Sequence, residues 1–199
     1  MSTTSRALRA AALSAAAVLA LTACGGDDSD PLGGPASSPA AGGIGGVATI
    51  PDAATKNTDA GAEAFAKYYF EEVLNKAYSS GNISTLIKYT HPQCIICRAT
   101  VGDISTAWAR GKSDGGQVTV SSVDASKAQN VTNVELKLAK TRYVELDRDG
   151  KNVFSTPAQN NLSFLVQLQW SNAEKSWVVR EIVPPALRKG GSASPTPTP

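Results

Sequence analysis

The sequence predicts an α+β domain in which N-terminal helices pack on a curved antiparallel sheet of about four to five strands. Two changes of pattern point there. From Ala62 to Ala77 apolar residues recur with the helical period, and from Gln117 to Val183 they alternate with polar residues, as strands with one buried face do. A third observation sets the limits of the domain: both ends of the chain are rich in Gly, Pro, Ala, Ser and Thr and lack any apolar periodicity, so they cannot bury a core. Helices followed by strands, rather than alternating with them, give a layer of helices over one sheet.

The chain has 199 residues. It opens with a short basic stretch, Met1 to Arg9, followed by the Ala/Leu/Val run Ala10 to Leu21 and by Leu21-Thr22-Ala23-Cys24. The run falls short of the roughly 20 apolar residues that cross a bilayer. Residues 1–23 therefore read as a signal peptide. The tetrapeptide resembles a bacterial lipobox, which implies that a diacylglycerol group is transferred to the Cys24 thiol and that Cys24 becomes the first mature residue. More than one acyl chain makes such anchoring stable. Residues 24–53 form a Gly/Pro/Ala/Ser linker, and a Gly-rich coil of about 30 residues reaches roughly 30 Å. The globular domain spans 54–187, and the Pro/Thr tail 188–199 follows.

In the first helix Ala62, Phe65, Ala66, Tyr69, Phe70, Val73 and Ala77 share about 140° of arc, with Glu63, Lys67, Glu71, Glu72 and Asn75 on the wet side. Glu63/Lys67 and Glu72/Lys76 are acid-before-base pairs at four-residue spacing. Gly81-Asn82 stops this helix, Ile83 to Tyr89 forms a second, and a third runs from Pro92 to Arg110 before Gly111. Strands are expected at Gln117 to Val123, Val131 to Leu146, Leu162 to Trp170 and Ser176 to Val183. Turns at Asp147-Arg148-Asp149-Gly150 and at Ser171 to Lys175 are short enough for hairpins.

This order of elements resembles the cone-shaped fold of nuclear transport factor 2 and its relatives. The helix from Ala64 to Gly81, together with His91-Pro92-Gln93-Cys94-Ile95-Ile96-Cys97, also resembles an actinobacterial lipoprotein family of uncharacterised function. The second resemblance implies an envelope location and carries no catalytic residues with it. The first implies an interior where enzymes of the fold place an Asp, His or Tyr for proton transfer. The candidates to line such an interior here are Tyr69, Tyr89, Asp103, Trp108 and Tyr143, none of them a specific motif, and Lys140 and Arg142 join them from an irregularity in the strand pattern described below.

Lys+Arg 19 against Asp+Glu 17 becomes 17 against 17 once Arg6 and Arg9 leave with the signal peptide. A neutral chain has no electrostatic footprint for nucleic acid. The lone histidine, His91, removes Ser-His-Asp and Cys-His catalysis with the usual base. Cys94 and Cys97 sit at redox spacing, yet they follow helical sequence rather than a strand of a βαβ unit. With Val101, Ile104 and Trp108 they share about 80° of helical arc, the stripe that faces a core. In an exported chain this pair reads as a structural disulfide. His91, Cys94 and Cys97 are one ligand short of a structural zinc site, so no metal and no cofactor is expected.

One irregularity stands out in the second half. Even-numbered positions from Val134 to Leu146 are apolar except Lys140 and Arg142. Unbroken alternation points both cations inward, where Asp103, Glu181 or an anionic ligand would have to meet them, whereas a bulge near Ala139 to Thr141 returns them to water. The sequence as a whole describes a lipid-anchored, extracytoplasmic domain at the cell membrane, acting as a non-catalytic module that binds a small ligand or an envelope protein. A small general acid/base enzyme of the cone fold is the alternative, and a dithiol redox protein comes third.

Overall fold

The computed structural model describes residues 49–187; Cys24, the signal peptide, most of the linker and the tail 188–199 lie outside them. A 3₁₀ turn, Asp52–Thr55, places Ala54 in the core. A continuous helix follows, made of α1 (Asp59–Tyr68), a π-helical stretch (Tyr69–Leu74) and α2 (Asn75–Ser80). Thr58 caps it by accepting from the Gly61 N–H at 3.0 Å. The wider π turn lets Tyr68, Tyr69, Phe70, Val73 and Leu74 all be buried, more than a single 3.6-residue stripe allows. At its end Gly81 takes φ 69°, and the Trp108 ring lies where a Cβ would stand, 2.6 Å from Cγ.

Two short connections lead through α3 (Ser84–Lys88) to α4 (Ile95–Arg110), which is capped by Cys94 and so starts later than the expected Pro92. Cys94 Sγ accepts from the Cys97 N–H, and the two cysteines are joined as a disulfide with Cα atoms 5.3 Å apart. Both are inside the core, at 1% and 2% exposure. Among the described residues no helix is long and apolar enough to cross a membrane.

The second half is antiparallel throughout and contains two sheets. Strands β2 (Val118–Ala128), β3 (Val131–Lys140), β6 (Gln159–Ser171) and β7 (Ser176–Val183) pair in the order β2-β3-β6-β7. Strands β1 (Gly111–Gly115), β4 (Tyr143–Asp147) and β5 (Asn152–Thr156) pair as β1-β4-β5. The α+β class stands, with seven strands among the described residues. The expected strand from Val131 to Leu146 is two strands, because the chain leaves the first sheet at Thr141-Arg142 and enters the second at Tyr143. The crossover is clamped to that of β1 into β2. Gly116 N–H donates to Arg142 O, Thr141 N–H to Gln117 O, and Gln117 N–H to Thr141 Oγ1, each at 2.9 Å.

Phe65, Tyr69, Val73 and Leu86 from the helices meet Val134, Leu136, Val166, Leu168, Trp177 and Val179 of the larger sheet. Burial of these apolar side chains, at about 1.5–3 kcal/mol each relative to exposure, holds the two layers together. The outer edges of that sheet are covered. On the β2 side, Glu63 Oε1 accepts from the Ala125 N–H, Glu71 Oε1 from the Val120 N–H, and Asn75 pairs with both backbone groups of Val118. The expected wet side of the helix is corrected here. Glu63, Glu71 and Asn75 face strand β2, since an edge strand's outward N–H groups need acceptors once a helix shields them from water. The expected pairs Glu63/Lys67 and Glu72/Lys76 give way to Lys67–Glu71 at 3.8 Å. On the β7 side, Val179 N–H donates to Tyr89 O at 2.8 Å and His91 N–H to Val179 O at 2.9 Å.

Candidate functional site

The end of α2, one face of α4 and the smaller sheet enclose a groove of about 450 Å³. Tyr78 comes from α2, Asp103 and Arg110 from α4, and Lys140 from the last position of β3. Tyr143 and Glu145 come from β4; Val153, Phe154 and Thr156 complete the lining from β5. The groove exists because the sheet breaks. At Thr141-Arg142 the chain turns, so Lys140 and Tyr143 approach from two different sheets.

Local geometry fixes these side chains. Gly116 has φ +71°, and a Cβ there would stand 2.8 Å from Tyr143 Cδ2 and 3.4 Å from Lys140 Cε, so only glycine leaves room for both. Tyr78 O, near the C-terminus of α2, accepts from Trp108 Nε1 at 3.2 Å and from Ser113 Oγ at 2.7 Å, which ties α2 to α4 and β1. The Tyr78 and Tyr143 rings meet edge to face at 5.4 Å, and Phe154 lies 6.5 Å beyond Tyr143. Phe154 and Val153 keep about half their surface exposed, at 50% and 51%. They form an apolar lip at the mouth of the groove.

Lys140 is held by two aromatic faces. Its Nζ lies 4.7 Å from the Tyr78 ring centroid and 5.2 Å from that of Tyr143, with the Tyr78 hydroxyl at 3.5 Å. No carboxylate lies within 4 Å of it among the described residues. Burial pulls its pKa below the ordinary lysine value. Burial pushes the Tyr143 phenol up to about 12, with the charge of Glu145 adding to the shift, and Tyr143 donates to Glu145 Oε1 at 3.3 Å. Burial also raises the Tyr78 pKa, and the Asp103 carboxylate raises it further.

Of the residues singled out in the sequence, Asp103, Lys140 and Tyr143 converge in this groove, and Trp108 supports it from behind through Tyr78. Tyr69 and Tyr89 do not reach it. Both are core residues packed around Phe65, and the Tyr69 hydroxyl is bonded to Thr90 Oγ1 at 3.1 Å. Arg142 stands exposed, with its backbone committed to the crossover, so of the two cations that unbroken alternation would turn inward only Lys140 lines the groove, and Arg142 is returned to water. The pairing of β3 with β6 also shifts register between Leu138 and Lys140, near the place where a bulge was expected. Glu181 is exposed on β7, on the wall of a different groove. The residues missed by sequence reading are Tyr78, Arg110, Glu145, Val153, Phe154 and Thr156. Only the adjacent apolar pair Val153-Phe154 after a tight turn carries a local signal.

His91 is occupied as a turn residue, its Nδ1 accepting from the Gln93 N–H at 3.2 Å. Among the described residues no three His, Cys, Asp or Glu side chains gather as a metal site.

The family of unknown function DUF6318 matches residues 47–182, which takes in every helix and strand described above except the last residue of β7. The chain belongs to this family. The sequence matches no curated protein. Among solved structures, the crystal structure of the intermembrane space region of chloroplast protein ARC6 superposes with a TM-score of 0.45 at 14% identity. That alignment covers 65% of this chain and 98% of the other.

Proposed function

We propose that this DUF6318 chain is a lipid-anchored binding module on the extracytoplasmic face of the cell membrane, and that the groove between α4 and the smaller sheet is its ligand site. The groove carries the reading. It joins a half-exposed apolar lip, Val153 and Phe154, to an edge-to-face tyrosine pair and a lysine with no carboxylate within 4 Å among the described residues, and its volume lies within the range of small-ligand sites. The anchoring half of the proposal rests on the basic, apolar and Leu21-Thr22-Ala23-Cys24 series. The cone-fold resemblance adds that domains of this kind can hold a pocket on the concave side of a bent sheet.

General acid/base catalysis draws less support from the two tyrosines. Tyr78 and Tyr143 are shifted away from neutrality, whereas a catalytic group works best with a pKa near the operating pH. Disulfide exchange is disfavoured as well, because both sulfurs are buried and a partner thiol must reach one of them.

Two experiments test the two halves. Replacing Cys24 with Ala should move the protein out of the membrane fraction and end incorporation of labelled fatty acid; retention of both defeats the anchor. Screening mixed small-molecule fragments against the full-length protein by NMR should shift signals of Tyr78, Tyr143 and Phe154, and Phe154→Ala should remove the hits. If no fragment shifts these residues, the groove is not a binding site.

A further inference from the structure

The proposed groove is specific about the chemistry it can accept, and the key is the hydrogen-bond inventory of Lys140. An ammonium has three N–H donors and no acceptor. Here it meets two aromatic faces, which offer quadrupolar attraction but no lone pair, and one hydroxyl oxygen at the long limit of 3.5 Å. At least two donors therefore lack a protein acceptor among the described residues, on a group that burial has already stripped of part of its hydration. A desolvated cation so placed is complementary to an anion that brings its own lone pairs.

The rest of the lining narrows the anion. Arg110, also without a carboxylate within 4 Å among the described residues, supplies a second cation from the α4 wall. Asp103 and Glu145 lie on the same walls, so the groove's four charges sum to zero. A phosphate or a dicarboxylate would bring two negative charges against these two carboxylates, whereas a single charge bonded to Lys140 is tolerated. Val153, Phe154 and the Tyr143 ring offer apolar surface at the mouth.

Resting on the reading of the groove as a ligand site, we infer that its ligand is a small monocarboxylate with an apolar or aromatic body, the carboxylate bonded to Lys140 with Arg110 in support, and the body laid on Val153, Phe154 and Tyr143. No covalent step is involved. The site departs from the two-cation pocket suggested by the sequence: Arg110 takes the place of Arg142, which faces solvent.

The probe is 3-phenylpropionate, compared by titration calorimetry with its neutral amide and with inorganic phosphate, on the full-length chain in detergent. Saturable binding of the acid is expected, with the amide and phosphate each at least tenfold weaker. Lys140→Met, which keeps the apolar stem against both rings, should remove the preference of acid over amide. Arg110→Gln, at an exposed position, should weaken the acid several-fold, while Arg142→Gln leaves it unchanged. Equal affinity for acid and amide, an unaffected Lys140→Met protein with a wild-type melting curve, or no saturable binding of the acid overturns the inference. If neutral fragments still shift groove residues in the NMR screen, the carboxylate class fails while the binding site stands; if neither experiment engages the groove, both fail.

Discussion

Asn75 and Val118 are joined by two hydrogen bonds, the side-chain Nδ2 donating to Val118 O at 2.8 Å and Oδ1 accepting from the Val118 N–H at 2.7 Å. The carboxamide thereby stands in for a neighbouring strand, presenting to β2 the donor and acceptor that a ladder partner would present. With Glu71 on Val120 and Glu63 on Ala125, side chains of one helix meet four backbone groups on the outer edge of β2.

Removing that substitute leaves backbone groups of β2 unpaired beneath the helix. Asn75→Ala is expected to lower stability by about 1–3 kcal/mol, the range for orphaning a buried polar partner. Asn75→Asp should fall between the two, because it keeps the acceptor for Val118 N–H and loses the donor. Urea denaturation of the three proteins checks the order, and a wild-type midpoint for Asn75→Ala would show that water replaces the carboxamide.

Gly116→Ala tests the crossover that shapes the groove. The new Cβ would meet Tyr143 Cδ2 at 2.8 Å and adopt φ +71°, a conformation costing a non-glycine residue roughly 1–3 kcal/mol. Gly102→Ala is the internal control, because nothing lies within 4 Å of its Cβ position and it sits mid-helix in α4. That change should stabilise by about 0.5–1 kcal/mol through helix propensity. Opposite shifts in melting temperature for the two variants are the expected result.

The helical and alternating halves were legible in the sequence because both depend on apolar periodicity, which survives in Phe65, Tyr69 and Val73 and in Val134, Leu136 and Leu138. Strand β1 was not, since Gly-Lys-Ser-Asp-Gly contains no apolar residue and is a strand only through its backbone pairing with β4. Strand β5 escaped because Val153 and Phe154 are adjacent, which breaks alternation. The groove was half legible. Lys140 announced itself as a cation in an apolar register, but Tyr78, Arg110 and Phe154 reach the groove from other elements, Tyr78 from 62 residues away. Periodicity says which way a residue faces and nothing about which distant residue it faces.

The disulfide should act as a staple at the start of α4. Closing so short a ring contributes about 2 kcal/mol by loop entropy. The double Cys94→Ala, Cys97→Ala variant should therefore melt several degrees lower while keeping its fold. Mass spectrometry of the unreduced protein should find no free thiol at either position. Insulin-reductase activity in the wild-type protein would contradict a purely structural pair.

Alkaline titration probes the burial of the tyrosines. Tyr68, Tyr69 and Tyr143 are each pushed up to about 12, chiefly by burial, and Tyr78 is raised by burial and by Asp103. A phenol whose folded pKa exceeds its unfolded value of about 10 favours the folded state fully below pH 10. Its contribution is lost as pH rises from about 10 through about 12. Lys140 acts in the opposite sense: its folded pKa is depressed, so the charged form opposes folding below that pKa, and stability recovers as pH rises toward the unfolded lysine value. Four raised phenols outweigh one lowered lysine, so net stability should fall steeply above pH 10. Phenolate absorbance followed alongside circular dichroism checks this. Ionisation of these four tyrosines should coincide with unfolding, and Lys140→Met should remove the recovery that ends near pH 10.5 while leaving the phenolate onset no lower than pH 10.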